Sequence, residues 1–175
     1  MIQTFANTFQ YSGLSQDLAT SSVLLGNTGI NTAGSNYTFK YNYAGFEEGF
    51  RTAFHIARPV TLEVSAYGVQ NSQAPTGQNM GWLAGGCLNY DLSKALRLSP
   101  SFSYFHIESD STVAAYNVNW MNTNREGYRT AMKFHYNRKI NFELSYGQRV
   151  PLVANPTQPS ETWYGLSMET ENAKF

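Results

Sequence analysis

Successive apolar and polar residues alternate along most of this chain, and that period of two is the feature that most restricts its fold. In Val60-Thr61-Leu62-Glu63-Val64-Ser65-Ala66-Tyr67 one face reads Val, Leu, Val, Ala and the other Thr, Glu, Ser, Tyr. The segments 96–104, 128–136 and 140–146 repeat the pattern, and Tyr37, Phe39, Tyr41 and Tyr43 alternate with Thr38, Lys40, Asn42 and Ala44. Strand side chains point to opposite faces in turn, whereas a helix would place apolar residues at i, i+3 and i+4. The chain is therefore read as all-β. Short polar connectors at 57–59, 91–94 and 137–139 fit hairpins, and longer small-residue loops lie at 71–79 and 151–160.

This punctuation predicts strands near 3–12, 36–45, 49–57, 60–70, 80–90, 95–107, 112–121, 127–136, 139–149 and 161–169. Residues 14–35 read as a helix, a strand pair or a long loop, and 170–175 as a tail. The 175 residues form one domain, an up-and-down antiparallel β-barrel of eight to ten strands. Counting all ten strands puts the 137–139 turn at the end opposite the 91–94 turn.

Composition removes several classes of function. Twelve basic and twelve acidic side chains leave no net charge, so no electrostatic footprint for nucleic acid exists. The single cysteine, Cys87, excludes an intramolecular disulfide and is expected to pack as a small apolar group. His55, His106 and His135 are too far apart to form a spaced metal site, and no cofactor motif is present. The acidic pairs Glu47-Glu48 and Glu108-Ser109-Asp110 read as solvated loop residues.

Two architectures share an apolar and a polar face: a soluble barrel or sandwich with an apolar core, and a transmembrane barrel whose apolar face meets lipid. Strand length, polar faces rich in small uncharged residues, and aromatics near strand ends favour the second. Trp82, Tyr104, Trp120, Tyr128, Tyr136 and Trp163, with Tyr90 and Tyr146, are the expected interface aromatics. The hairpins 81–108 and 127–150 resemble those of small Gram-negative outer-membrane β-barrels of the OmpA, OmpX and OmpW type, by pattern and without a diagnostic motif. The resemblance implies a monomer in the bacterial outer membrane, with the lipid bilayer as partner and loops that meet small solutes or surface ligands. Met1-Ile2-Gln3-Thr4-Phe5 shows no signal-peptide pattern, so it also implies a processed form.

Under this reading Arg51, His55, Glu63, Arg97, Arg129, Lys133, His135 and Glu143 form a salt-bridged polar network in the lumen, which is either plugged or a narrow pore. Two rivals remain. One is a soluble all-β protein, either a lipocalin-like ligand binder or a shell or coat subunit. In that case Tyr37, Phe39, Leu62, Val64, Phe102, Phe142 and Leu144 would converge on a closed interior. The other is a membrane-embedded lipid hydrolase using His135, Glu143 and Ser145, which share the polar face of one hairpin.

Overall fold

The structure is a computed structural model, and it describes residues 2–117, 121–137 and 139–170. Eight strands form one antiparallel sheet: β1 (Ile2–Tyr11), β4 (Tyr43–Ala57), β5 (Val60–Asn71), β6 (Met80–Asp91), β7 (Leu96–Ile107), β8 (Arg125–Tyr136), β9 (Ile140–Pro151) and β10 (Glu161–Thr170), in that spatial order. Each strand after β1 pairs with its predecessor in the sheet, so the topology is a simple meander. A helix, α1 (Gln16–Leu24), and a two-stranded hairpin, β2 (Gly29–Ala33) with β3 (Asn36–Phe39), occupy the connection from β1 to β4. Ser15 caps α1, its hydroxyl accepting from the Leu18 N–H at 3.2 Å.

Several expectations change. The sheet is not closed into a barrel: β1 and β10 are its two edges. The segments 36–45 and 49–57 are not successive strands, because β3 belongs to the small hairpin and β4 runs unbroken through Glu47 and Glu48. Those two residues are therefore strand residues on opposite faces. Among the described residues of 112–121 there is no strand: a 3-10 turn spans Ala114–Tyr116, and residues 118–120 lie outside those described. Removing that strand resolves the turn count. The tight turns after β4, β6 and β8 all lie at one end of the sheet, and the long connections 12–42, 72–79, 108–124 and 152–160 lie at the other.

Registers assign every strand residue to a face. One unbroken row of opposed residues runs Ile2, Thr52, Val64, Gly86, Phe102, Thr130, Tyr146, Tyr164. It belongs to an apolar face that also carries Phe50, Phe54, Leu62, Leu88, Leu98, Met132, Phe134, Phe142, Leu144, Leu166 and Met168. The neighbouring row, Gln3, Arg51, Ser65, Gly85, Ser103, Arg129, Gly147 and Trp163, belongs to a polar face.

Apart from Thr52 in the apolar row, the buried strand side chains are on the polar side. Tyr43, Asn71, Phe105, Ile107 and Arg125 all belong to the polar face at its loop end, and all lie under the long connections. The apolar face is bare: Phe102 is 54% exposed, Leu144 53% and Leu166 77%. Tyr37 and Phe39 sit apart in the β2–β3 hairpin, so the seven residues that a soluble core would gather do not converge.

Gly26 shows how tightly the connections fit. Its φ is +117°, a region that disfavours any side chain, and a Cβ there would run into the Thr123 carbonyl. G26A should cost about 1–3 kcal/mol through that strain, read as a lowered midpoint in a urea titration; an unchanged midpoint would remove Gly26 from the packing argument.

Candidate functional site: a polar face capped by knotted loops

Asp110, in the connection after β7, is fully buried at the centre of the loop end. Its carboxylate accepts from the Thr28 backbone N–H at 3.0 Å, from the Thr28 hydroxyl, from Ser109 Oγ at 3.0 Å and from the Tyr43 hydroxyl at 3.1 Å. Four donors replace the water a buried carboxylate would otherwise need. Its backbone N–H donates to the Gln78 carbonyl at 2.7 Å, and its carbonyl accepts from Asn71 Nδ2 at 2.9 Å. One residue thus ties together the connections 12–42, 72–79 and 108–124 with the ends of β4 and β5.

Three amides extend the knot. Asn27 donates to the carbonyls of Ser109 and Thr112 and accepts from the Ala114 N–H at 2.7 Å. The Asn71 amide oxygen accepts from the N–H groups of Ala44 and Gln73. Gln158 brings in the last long connection, donating to the carbonyls of Leu25 at 2.8 Å and Thr123 at 3.0 Å and accepting from Asn124. Beneath it the Arg125 guanidinium, with its side chain 2% exposed, donates to the Pro159 carbonyl and pairs with Glu161, which also holds Arg149.

Further toward the turns the polar face carries separate charge clusters. Arg51 pairs with Glu63 at 2.5 Å; Glu63 accepts from Asn89, and Asn89 from Ser99. Glu143 holds both Arg129 and Lys133, the latter at 3.1 Å. Arg97 grips Asp91 with two nitrogens, at 2.6 and 3.3 Å. His55 bonds Thr61 and His135 bonds Asn141. The eight residues expected to share one face do share it, but as clusters spread along an open sheet.

Between the first two clusters lies a floor of small side chains. Ser65, Gly85, Cys87, Ser101 and Ser103 line a hollow of about 300 Å³, with Arg51 and Glu63 at its side. Cys87 is on this polar face with Sγ 3.8 Å from Asn89 Oδ1, not in apolar packing. A second hollow of about 530 Å³ opens at the turn end, lined by Asp91, Lys94, Arg97, His135 and Asn141 among others.

His135, Glu143 and Ser145 do lie on one face of the β8–β9 hairpin. A triad needs the imidazole within hydrogen-bond reach of the hydroxyl, but His135 is opposed by Asn141 and Ser145 by Ala131, four residues apart along the strands. His135 Nδ1 bonds Asn141, and Glu143 bonds two cations. These bonds do not join the three into a triad. Among the described residues no group of His, Cys, Asp and Glu is arranged to hold a metal ion.

The aromatics divide by face. Trp82, Tyr104, Tyr128 and Tyr136 stand on the apolar face, as do Tyr90 and Tyr146. Trp163 is on the polar face instead, its ring over Gly147 and 5.8 Å from the Arg149 guanidinium. Trp120 lies outside the described residues. His106, on the apolar face, stacks on Trp82 with ring centroids 6.2 Å apart and approaches Glu126.

No family model matches the chain, and no curated protein or solved structure is similar to it.

Asp110, expected in solvent, is instead fully buried, and the loop knot around it has no local sequence pattern. The signal was faint: Asn27, Asn71 and Asp110 stand in connections where such residues are ordinary, and they meet only through contacts 39–87 positions apart in sequence. D110A removes the acceptor of four donors and should cost about 2–4 kcal/mol, with faster protease nicking across 108–124. Unaltered cleavage would show that the loops are held by other contacts. E143Q, which removes the carboxylate that Arg129 and Lys133 share, should cost about 1–3 kcal/mol and leave loop cleavage unchanged.

Proposed function

We propose that this protein is an integral β-barrel of a bacterial outer membrane, a structural or surface-interaction protein whose knotted loops carry recognition. The observation that carries the reading is the arrangement of aromatics on the exposed apolar face. Phe46, Trp82, Tyr104, Tyr128, Tyr146 and Tyr164 form one belt on the loop side, with ring centroids 5.5 Å apart for Trp82–Tyr104, 6.0 Å for Tyr128–Tyr146 and 5.2 Å for Tyr146–Tyr164. Phe54, Tyr90 and Tyr136 mark a second belt near the turns. Amphipathic rings at two heights, flanking an apolar band, are what headgroup layers select.

Charge placement supports the same reading. Among the described residues of the apolar face, His106 and Glu126 lie on the loop side of the first belt, and Glu48 sits at its inner edge beside Phe46. From there to the second belt the face has no ionisable group. Water would not favour so broad an apolar surface on a monomer. Among the described residues no helix is long and apolar enough to cross a membrane, which says nothing of strands.

The polar face then becomes the lumen. Its cations are held by carboxylates and its loop end is covered by the Asp110 knot, which favours a structural barrel over an open pore. The exposed apolar face counts against a soluble monomer, which would need it as a core.

Two measurements test the reading. Refolded in detergent micelles, the chain should give a β-type circular dichroism spectrum and a gel mobility that changes on boiling; a folded chain in plain buffer would overturn the proposal. L144R replaces a half-exposed residue in mid-band. In lipid it should cost about 2–4 kcal/mol, whereas on a surface that meets water it would be nearly neutral, and neutrality in micelles would count against the bilayer.

A further inference from the structure

The sheet has two unused edges, and they fit each other. β1 runs from the turn end toward the loops and β10 runs back, so the two would meet as an antiparallel pair. The registers put Ala6, Thr8 and Gln10 on the same face as Tyr164, Leu166 and Met168, so pairing would keep both faces continuous, although β1 carries its aromatics Phe5, Phe9 and Tyr11 on the polar face. In hydrocarbon, unpaired N–H and C=O groups on an edge find no water, so a spanning sheet must close.

The register of closure can be read from the belts. Passing from β6 to β7, Trp82 is opposed by His106, and the belt continues two residues turnward at Tyr104. Tyr104 is opposed by Tyr128; on β9 the belt again drops two residues to Tyr146, which is opposed by Tyr164. The second belt behaves alike, dropping from Phe54 to Tyr90 and from Tyr90 to Tyr136 by two residues over two strands each time.

A belt at headgroup level is horizontal. Its descent of one residue per strand therefore measures the strand tilt: a rise of about 3.3 Å against a spacing of about 4.8 Å gives about 35°. That lies within the tilt range of closed barrels, about 35–45°. Carried around eight strands, the descent amounts to a stagger of eight residues.

We propose that β1 and β10 pair to close an eight-stranded barrel, with the paired residue numbers summing to 174. This rests on the membrane reading above. It sets Ala6 opposite Met168, Thr8 opposite Leu166 and Gln10 opposite Tyr164 on the lipid side, and Asn7 opposite Ser167, Phe9 opposite Gly165 and Tyr11 opposite Trp163 on the lumen side. All eight rungs, from Thr4–Thr170 to Tyr11–Trp163, fall within the two strands as they stand. The pairing places a bulky ring against a glycine at one lumen rung and joins two aromatics at the loop end.

Cysteine pairs in the full chain on a C87S background test the proposal after refolding in micelles. T8C/L166C and N7C/S167C occupy successive rungs, so one wide and one narrow pair are sampled. On oxidation at least one of them should become a disulfide-closed monomer as the main species, while T8C/M168C and N7C/E169C, two residues out of register, should stay reduced. Cross-linking by the shifted pairs alone would overturn the register. Disulfide-linked dimers, or no cross-link in any pair of a chain that still shows heat-dependent mobility, would overturn closure. A chain without that mobility change fails at the membrane reading instead.

Discussion

The buried carboxyl group of Asp110 decides which face of this sheet the long connections cover at the loop end. A buried carboxyl group needs hydrogen-bond partners in place of water, and here they come from the β1–β4 connection, from β4 and from its own neighbour. Satisfying it draws the loops over the polar face. With Asn27, Asn71 and Gln158 completing the knot, the loop end of that face carries the best-buried side chains, although many of them are polar.

The knot covers the loop end of the polar face, and the strand registers leave the opposite face apolar and exposed. The same registers keep Arg51, Glu63, Arg129, Lys133 and Glu143 on the polar face, where each cation has a carboxylate within reach. The small floor of Ser65, Gly85, Ser101 and Ser103 leaves room between the clusters. A soluble sandwich inverts this order, burying its apolar rows and wetting its charges.

Strand identity was legible because alternation is a local property: β5, β7, β8 and β9 can be read residue by residue. Legibility failed where alternation had another cause. Residues 112–121 alternate by composition yet contribute a 3-10 turn to the cap, because Val113 and Ala114 are buried against the loops instead of opposite a strand partner. Tyr37 and Phe39 alternate as β3 but serve a hairpin outside the main sheet. Trp163 looked like an interface ring, and its place on the polar face follows from its rung with Gly147, whose missing side chain makes room for the indole.

By itself the sequence determined that this chain forms amphipathic strands joined by tight turns and longer connections. It did so because side-chain alternation and turn chemistry act between near neighbours. That the turns share one end came from the structure, which places no paired strand between β7 and β8. Only the tertiary structure decided which face is covered, which acid is buried, and that the His135, Glu143 and Ser145 set is divided among other partners. Those outcomes depend on registers and on hydrogen bonds between residues tens of positions apart, and no local pattern encodes where a distant donor will arrive.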